Sequence, residues 1–391
     1  MEEAYIVSYC RSAFTKAKKG GFRFLRSDDL AVEVLRSLIE KVPQLDPNTI
    51  DDLLVGCANP EGEQGLQIGR QIAIRAFGEK VPGITINRYC ASGLETVAIA
   101  TAKIRSGQGD IFVAGGVESM SQIPLEGYKL AINYEVSKDH PDYIIGMGLT
   151  AEAVAKKYAI SREAQDEYAY HSHRKAYESQ LSGKFENEIV NINVNEVYFD
   201  QGKRKERSFN VQQDDGIRKD STIKALSELK PVFAMNGSVT AGNSSQTTDG
   251  AAFLLVMSER MVNKLGLKPI AKLISCSVAG VDPLYMGIGP CAAIPKALNA
   301  ANLKMNDIAL TELNEAFASQ VLAVIQQTGL NPLTTNVNGG AIAFGHPLGC
   351  SGARLSMTLL NELSLRKEKY GLVTACVGGG QGIAGIFENL N

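Results

Sequence analysis

The chain repeats itself, and this repeat restricts its fold more than any other feature. IDDLLVGCANPEGEQGLQIGRQIAI, from Ile50, resembles MNDIALTELNEAFASQVLAVIQQ, from Met305. Each reads as a strand, a loop carrying an asparagine, and a helix. A second pair follows in the same order: NRYCASGLETVAIATAKIRSGQGDIFVAGG, and then GHPLGCSGARLSMTLLNELSLRKEKYGLVTACVGGG. In both, a reactive-looking residue precedes Ser-Gly, a helix follows, and a buried strand ends in glycines. The period is far too long for a stacked solenoid, so the pattern implies two similar halves. Short apolar runs such as DDLLVG and GITIN alternate with amphipathic stretches such as LAVEVLRSLIEKV. That alternation predicts an α/β protein whose sheets are covered by helices. With 391 residues there is chain for two or three core-bearing units.

Between the repeats, over about residues 121–245, the texture turns polar and rich in tyrosine, as in KKYAISREAQDEYAYHSHRKAYESQ. A segment of this length reads as an inserted lobe, and such insertions often cover a substrate. The basic run GKRKERSF inside it is expected to be a solvated hairpin turn rather than a phosphate contact. A formal net charge of -2 argues against nucleic acid or an anionic membrane as the main partner. No apolar run approaches the length of a bilayer span. The seven cysteines form no CxxC pair and no metal-like spacing, which fits a reducing compartment and argues against a zinc or redox module. MEEAYIVSYC has no secretory or transit character, so the expected location is the cytoplasm.

Four positions can carry chemistry. Cys90 follows the strand GITIN and precedes the helix LETVAIATAKI. A thiol at a helix N-terminus meets unpaired N–H groups, which should lower its pKa toward the thiolate, although a small buried cysteine is the plainer alternative. Cys376 ends a buried strand before three glycines whose N–H groups could cradle an anion. The full nucleotide-loop fingerprint is not met there. His346, in GHPLG, is bounded by Pro347 and glycines that leave it unburied by neighbours, and a base for a thiol is the economical role. Asn314 follows the strand DIALTEL, where a turn role competes with holding a water against an oxyanion. Cys350 is expected to pack inside the next helix. His140, His171 and His173 fall in the polar insertion and are expected at the surface.

Taken in order and spacing, NRYCASG, LNEAFA, GGAIAFGHPLGCSG and CVGGGQG resemble the thiolase family, and the likeness runs from IVSYCRSAF to the last strand. VTAGNSSQTTDGAA and MGLTAE match the same pattern. The resemblance implies a thiolase-like fold of two duplicated α-β-α-β-α halves with an inserted loop domain. The expected division is 1–120 with 246–268 for the first half, 121–245 for the loop domain, and 269–391 for the second half. It also implies roles. Cys90 would carry the acyl group as a thioester, His346 would be its base, and Cys376 would move protons at the acetyl carbon and the coenzyme A thiol. One oxyanion hole would use His346 and a water held by Asn314, and another the N–H groups of Cys90 and Gly378. Coenzyme A, a substrate rather than a resident cofactor, would touch Met147, Arg218, Phe233, Ala241, Ser245, Ala316 and Phe317.

Two departures refine this. Ala225 stands where a serine can contact coenzyme A, and TTDG stands where Asn-Asp-Gly or Ser-Asp-Gly is more usual. Gly146 replaces a histidine frequent in acetoacetyl-forming enzymes, which points to a degradative 3-ketoacyl-CoA thiolase of fatty-acid β-oxidation. The alternatives are an acetyl-CoA C-acetyltransferase and a non-catalytic acyl-CoA carrier, the latter having no need of both cysteines and the histidine. A 3-ketoacyl-ACP synthase would show a second histidine or an asparagine in place of Cys376. The expected partners are acyl-CoA and CoA, further copies of the chain in a homodimer or homotetramer, and a β-oxidation multienzyme partner.

Overall fold

The computed structural model describes residues 2–391. Its first half begins with strand β1 (Ala4–Arg11) and helix α1 (Ser27–Glu40), then β2 (Asp52–Gly56), α2 (Ile68–Phe77), β3 (Gly83–Ile86), α3 (Ser92–Arg105) and β4 (Ile111–Ser119). The chain then leaves the sheet for the insertion. This holds α4 (Met147–Lys157), α5 (Arg162–Leu181) and an antiparallel hairpin of β5 (Ile192–Asp200) and β6 (Lys203–Val211). It returns as β7 (Thr248–Ser258). The second half repeats the series as β8 (Ala271–Gly280), α6 (Gly289–Ala301), β9 (Leu310–Leu313), α7 (Ala318–Thr328), α8 (Leu348–Arg366), β10 (Tyr370–Val377) and β11 (Gln381–Asn389).

Strand order makes the duplication explicit. The first half runs β3-β2-β4-β7-β1 and the second β9-β10-β11-β8. In each, the parallel pairs come first (β2 with β3 and β4, β9 with β10) and the antiparallel pairs follow. Even β3 has a counterpart, since Thr335 bridges in parallel to Thr311 of β9. The two sheets join at one bridge, Ile6 to Ala271.

Burial explains the layering. Strand β4, IFVAGGVES, is buried at every position, as expected of a strand covered on both faces. Helix α1 is amphipathic and buries Leu30, Val34, Leu35 and Leu38 against the outer face of the first sheet. Helix α8 is buried from Leu348 through Leu363, so it has no solvent face until its last three residues. It lies beside α3 between the two sheets, while α6 covers the second sheet from outside. The layers therefore alternate helix, sheet, helix, sheet, helix, with α3 and α8 as the shared middle.

A buried helix carrying Arg354, Thr358 and Glu362 must satisfy them internally. Arg354 pairs with Glu312 of β9 at 3.1 Å, Thr358 donates to Glu188 at 3.1 Å, and Glu362 accepts from Lys184 at 2.9 Å. Two of these partners come from the insertion, which is thereby fastened to the second half. Inside it, the basic run lies on an exposed strand of the hairpin, and Gln201 and Gly202, with φ of 49° and 77°, make the turn. His140 and His171 are exposed, but His173 is not: it is 1% exposed, and its Nδ1 accepts from the N–H of Arg218 at 3.1 Å. The reason is that α5 turns one face, including Ser172, His173 and Ser179, away from solvent. A helix polar all round by composition hides its buried face from a sequence reading.

Candidate active site

The site forms where the N-terminal ends of α3 and α8 meet. Glycine makes the approach possible. A Cβ on Gly93 would stand 2.7 Å from the backbone N of Ala353, and one on Gly352 would run into the backbone N of Leu94. The two contacts mirror each other across the repeat, because Gly93-Leu94 and Gly352-Ala353 are equivalent positions. Cys90 sits in the turn Tyr89–Ala91 just before α3, and His346 sits two residues before α8. Two residues 256 apart in sequence are thus set into one neighbourhood by helix packing.

Ser92 shapes the cysteine turn. Its Oγ accepts from the N–H of Arg88 at 2.9 Å and donates to the carbonyl of Tyr89 at 2.7 Å. In the second half the equivalent Ser351 does something different. Its Oγ donates to the carbonyl of Pro347 at 2.8 Å and lies 2.6 Å from His346 Nδ1. The carbonyl can only accept, so the hydroxyl proton goes to it and Nδ1 carries the imidazole hydrogen. Nε2 is left with its lone pair, 3.2 Å from the amide nitrogen of Asn314. In the sequence Ser351 stands only as the serine of the repeated Ser-Gly. Its repeat position, matching Ser92, was the available signal for a turn-fixing hydroxyl.

Asn314 is itself held by its neighbours. Its N–H donates to Thr374 of β10 at 2.9 Å. The adjacent Glu315 accepts from Tyr168 and Ser172 of α5, at 2.8 and 2.7 Å, and from Asn336 and the N–H of Ile342. This buried carboxylate ties the insertion to the loop leading into His346. Glu118 plays a matching part across the halves, accepting from Ala58 N–H at 2.7 Å and Gly349 N–H at 2.8 Å. Neither acid stood out in the sequence, because a carboxylate's burial does not register in composition or period. Asn314 Oδ1 is buried with no hydrogen-bond partner among the described residues.

The two thiols are neighbours. Cys376 is fully buried at the end of β10, and both burial and the proximity of Cys90 push its pKa up. Cys90 is half-buried, and desolvation pushes its thiol up to about 11 even though the Gly378 N–H and its own N–H favour the thiolate. The expected lowering is therefore overturned: loss of water outweighs the helix-end N–H groups. His346, expected to be left unburied by its glycines, is buried, and this burial, reinforced by Arg354, pushes it down to about 3. In the free protein both partners are neutral at pH 7. Cys350 is fully buried, and its sulfur points to the carbonyl of Pro347 at 3.5 Å, as expected of a packing residue.

Of the residues expected to contact coenzyme A, Met147, Ala316 and Phe317 join Cys376 in one apolar cluster. Phe233 stacks edge-on against Phe317 with ring centroids 6.1 Å apart, and Ser245 N–H donates to the Ala316 carbonyl at 2.9 Å. Arg218, Ala225 and Ala241 are exposed on the insertion, outside this cluster. No group of three or more His, Cys, Asp or Glu side chains among the described residues could hold a metal ion.

Comparison with known proteins agrees over the whole length. Residues 4–260 match the family model for the thiolase N-terminal domain, and residues 267–389 that for the thiolase C-terminal domain. The chain is 48% identical over 391 residues to the 3-ketoacyl-CoA thiolase of Bacillus subtilis, covering 99% of this chain and 100% of that protein. It is 43% identical to the peroxisomal 3-ketoacyl-CoA thiolase 1 of Arabidopsis thaliana, covering 99% of this chain and 88% of that one. The crystal structure of the Bacillus anthracis acetyl-CoA acetyltransferase superposes with a TM-score of 0.89 at 38% identity, over 100% of this chain and 99% of that one. Two matching domain models in sequence, full-length relatives and the same fold establish that the chain belongs to the thiolase family.

Proposed function

We propose that this protein is a 3-ketoacyl-CoA thiolase, an acyltransferase that cleaves 3-ketoacyl-CoA with CoA to give acetyl-CoA and a shortened acyl-CoA. The observation that best supports the reading is the close approach of α3 and α8, whose N-terminal ends carry Cys90, beside Cys376, and His346, beside Asn314. His346 Nε2 takes the proton of Cys90 as its sulfur attacks the 3-keto carbon. The bond between C2 and C3 breaks, and acetyl-CoA leaves as an enolate that Cys376 protonates at C2. The resulting Cys376 thiolate takes the proton of an incoming CoA, whose sulfur attacks the acyl-Cys90 thioester and frees Cys90, which takes its proton back from His346. Two thiols are required because one is occupied as the carrier while the other handles protons. His346 with a water on Asn314 stabilises one developing oxyanion, and the Cys90 and Gly378 N–H groups stabilise the other. The neutral Cys90–His346 pair suits this sequence, since the sulfur need ionise only as it attacks.

Met147, Phe233, Ser245, Ala316 and Phe317 would receive coenzyme A, with Arg218 and Ala241 at the outer rim. The division into 1–120 with 246–268, 121–245 and 269–391 follows the repeat and the return of the chain at β7. A homodimer or homotetramer is supported by β3, an edge strand whose Ile84 is 41% exposed beside the exposed Leu66 and Ile74. We place this activity in fatty-acid β-oxidation in the cytoplasm, with a multienzyme partner; the name 3-ketoacyl-CoA thiolase, carried by the Bacillus subtilis relative, supports the degradative activity. No helix among the described residues is long and apolar enough to cross a membrane. The second reading, acetyl-CoA acetyltransferase, is favoured by the name of the superposed Bacillus anthracis enzyme.

Incubation with acetyl-CoA should leave an acetyl mass on the peptide holding Cys90. Cys376→Ala should still be acylated there but should fail to exchange the C2 protons of acetyl-CoA with solvent. An acetyl group found on Cys376 or Cys350 instead would overturn the assignment of the carrier.

A further inference from the structure

The residue before Cys90 is a tyrosine in a conformation that favours glycine. Tyr89 has φ of 43°, held by its N–H donating to Asn87 at 2.8 Å and its carbonyl accepting from Ser92 at 2.7 Å. A bulky residue kept in the left-handed region marks a side chain whose direction is used. That direction is across the site: the Tyr89 ring lies 3.6 Å and the Met147 sulfur 3.8 Å from where a Cβ on Gly378 would stand. A second tyrosine comes from the insertion. Tyr143, in the turn Pro141–Ile144, packs over Gly379, where a Cβ would be 2.9 Å from its ring. Burial first, and then the nearby Tyr143 phenol, disfavour ionisation of the Tyr89 hydroxyl. Both rings are partly open to solvent, 37% and 41% exposed, so they stand at the mouth of the site.

We propose that Tyr89 and Tyr143 form a paired aromatic gate that selects the acyl part of the substrate, admitting short straight chains to Cys90 and holding back long ones. The inference rests on the thiolase reading above and names the substrate class within it. Tyr89 adjoins the acyl-bearing cysteine by one peptide bond, and Tyr143 faces it from a separate element, so any tail extending from Cys90 past Gly378 meets both rings. Aromatic side chains have only two torsions, so they hold a slot of fixed width better than aliphatic ones. Gly378 and Gly379 leave the room the rings occupy. The gate is steric: the rings set it, and the hydroxyls only brace it.

Thiolysis of straight-chain C4, C8 and C16 3-ketoacyl-CoA tests this. The natural protein should favour C4 and C8 over C16. Tyr143→Ala should raise the C16 to C4 ratio of kcat/KM by about tenfold, the scale on which pocket walls discriminate chains. Tyr143→Phe, which keeps the ring, should leave that ratio within about twofold. Burst acylation of Cys90 by each substrate, read by mass, should show the same order. A ratio unmoved in Tyr143→Ala, with Cys90 still acylated, would sink the gate and leave the thiolase reading standing. No turnover and no acylation of the natural protein by any chain length would overturn the thiolase reading, and the gate with it.

Discussion

The Cys90 thiol and the His346 imidazole are both shifted toward their uncharged forms, and this is testable on the free protein. With the thiol pushed up to about 11 and the imidazole down to about 3, almost no Cys90 thiolate exists at pH 7. The group shifted upward is an acid whose reactive form appears only on deprotonation. The rate of alkylation of Cys90 by iodoacetamide should therefore climb about tenfold per pH unit from pH 7 to 9. A rate already level between pH 6 and 8 would show a preformed thiolate–imidazolium pair and contradict the burial argument. These residues stand out as candidates in the sequence, because Cys90, His346 and Cys376 each sit at a strand or helix end, and the family resemblance gives them their proposed roles. Their charge state was not legible there. The helix-end effect reads locally, whereas desolvation depends on what the other half lays on top.

At the scale of elements, the site depends on how closely α3 and α8 approach. Gly352→Ala would place a methyl against the backbone of Leu94, which has no flexible end to give way. The helices must separate, at a cost of about 1–3 kcal/mol, and the two side chains they carry move apart with them. The variant should lose thermal stability and most turnover together, measured by calorimetry and thiolysis. Gly280→Ala, where an added methyl meets nothing within 4 Å, should keep both and serves as the control. Strands, helices and their repeat could be read from apolar period and glycine punctuation. The crossing could not, since the glycines that permit it look like ordinary turn residues, and Glu315 gains Tyr168 and Ser172 only once the insertion packs on the second half.

For the whole molecule, the insertion is where sequence and structure part furthest. Its polar helix α5 carries His173 into a buried position, where desolvation, with Arg218 and Lys16 nearby, lowers its pKa to about 4. Because the folded value lies below the unfolded value of about 6.5, the unfolded chain binds the extra proton. The contribution of neutral His173 is thus whole above pH 6.5 and is lost as pH falls toward 4. Urea unfolding should show His173→Gln losing about 1–3 kcal/mol less than the natural protein between pH 7 and pH 4.5. Equal slopes for the two would show that the buried histidine does not set acid stability. One feature of the sheets reaches beyond the site. Each half closes on itself, with Ala4 paired to Ser258 in the first and Ala271 paired to Asn389 in the second, and Ile6 meets that same Ala271. Ile6 and Asn389 thus flank a single strand, about 10 Å apart at ordinary strand spacing. A short peptide would span that gap, so a chain joined there and opened between Ser258 and Ala271 would visit the second half first and still bring the same two helices together. The order in which the halves are threaded is a matter of history, not of architecture.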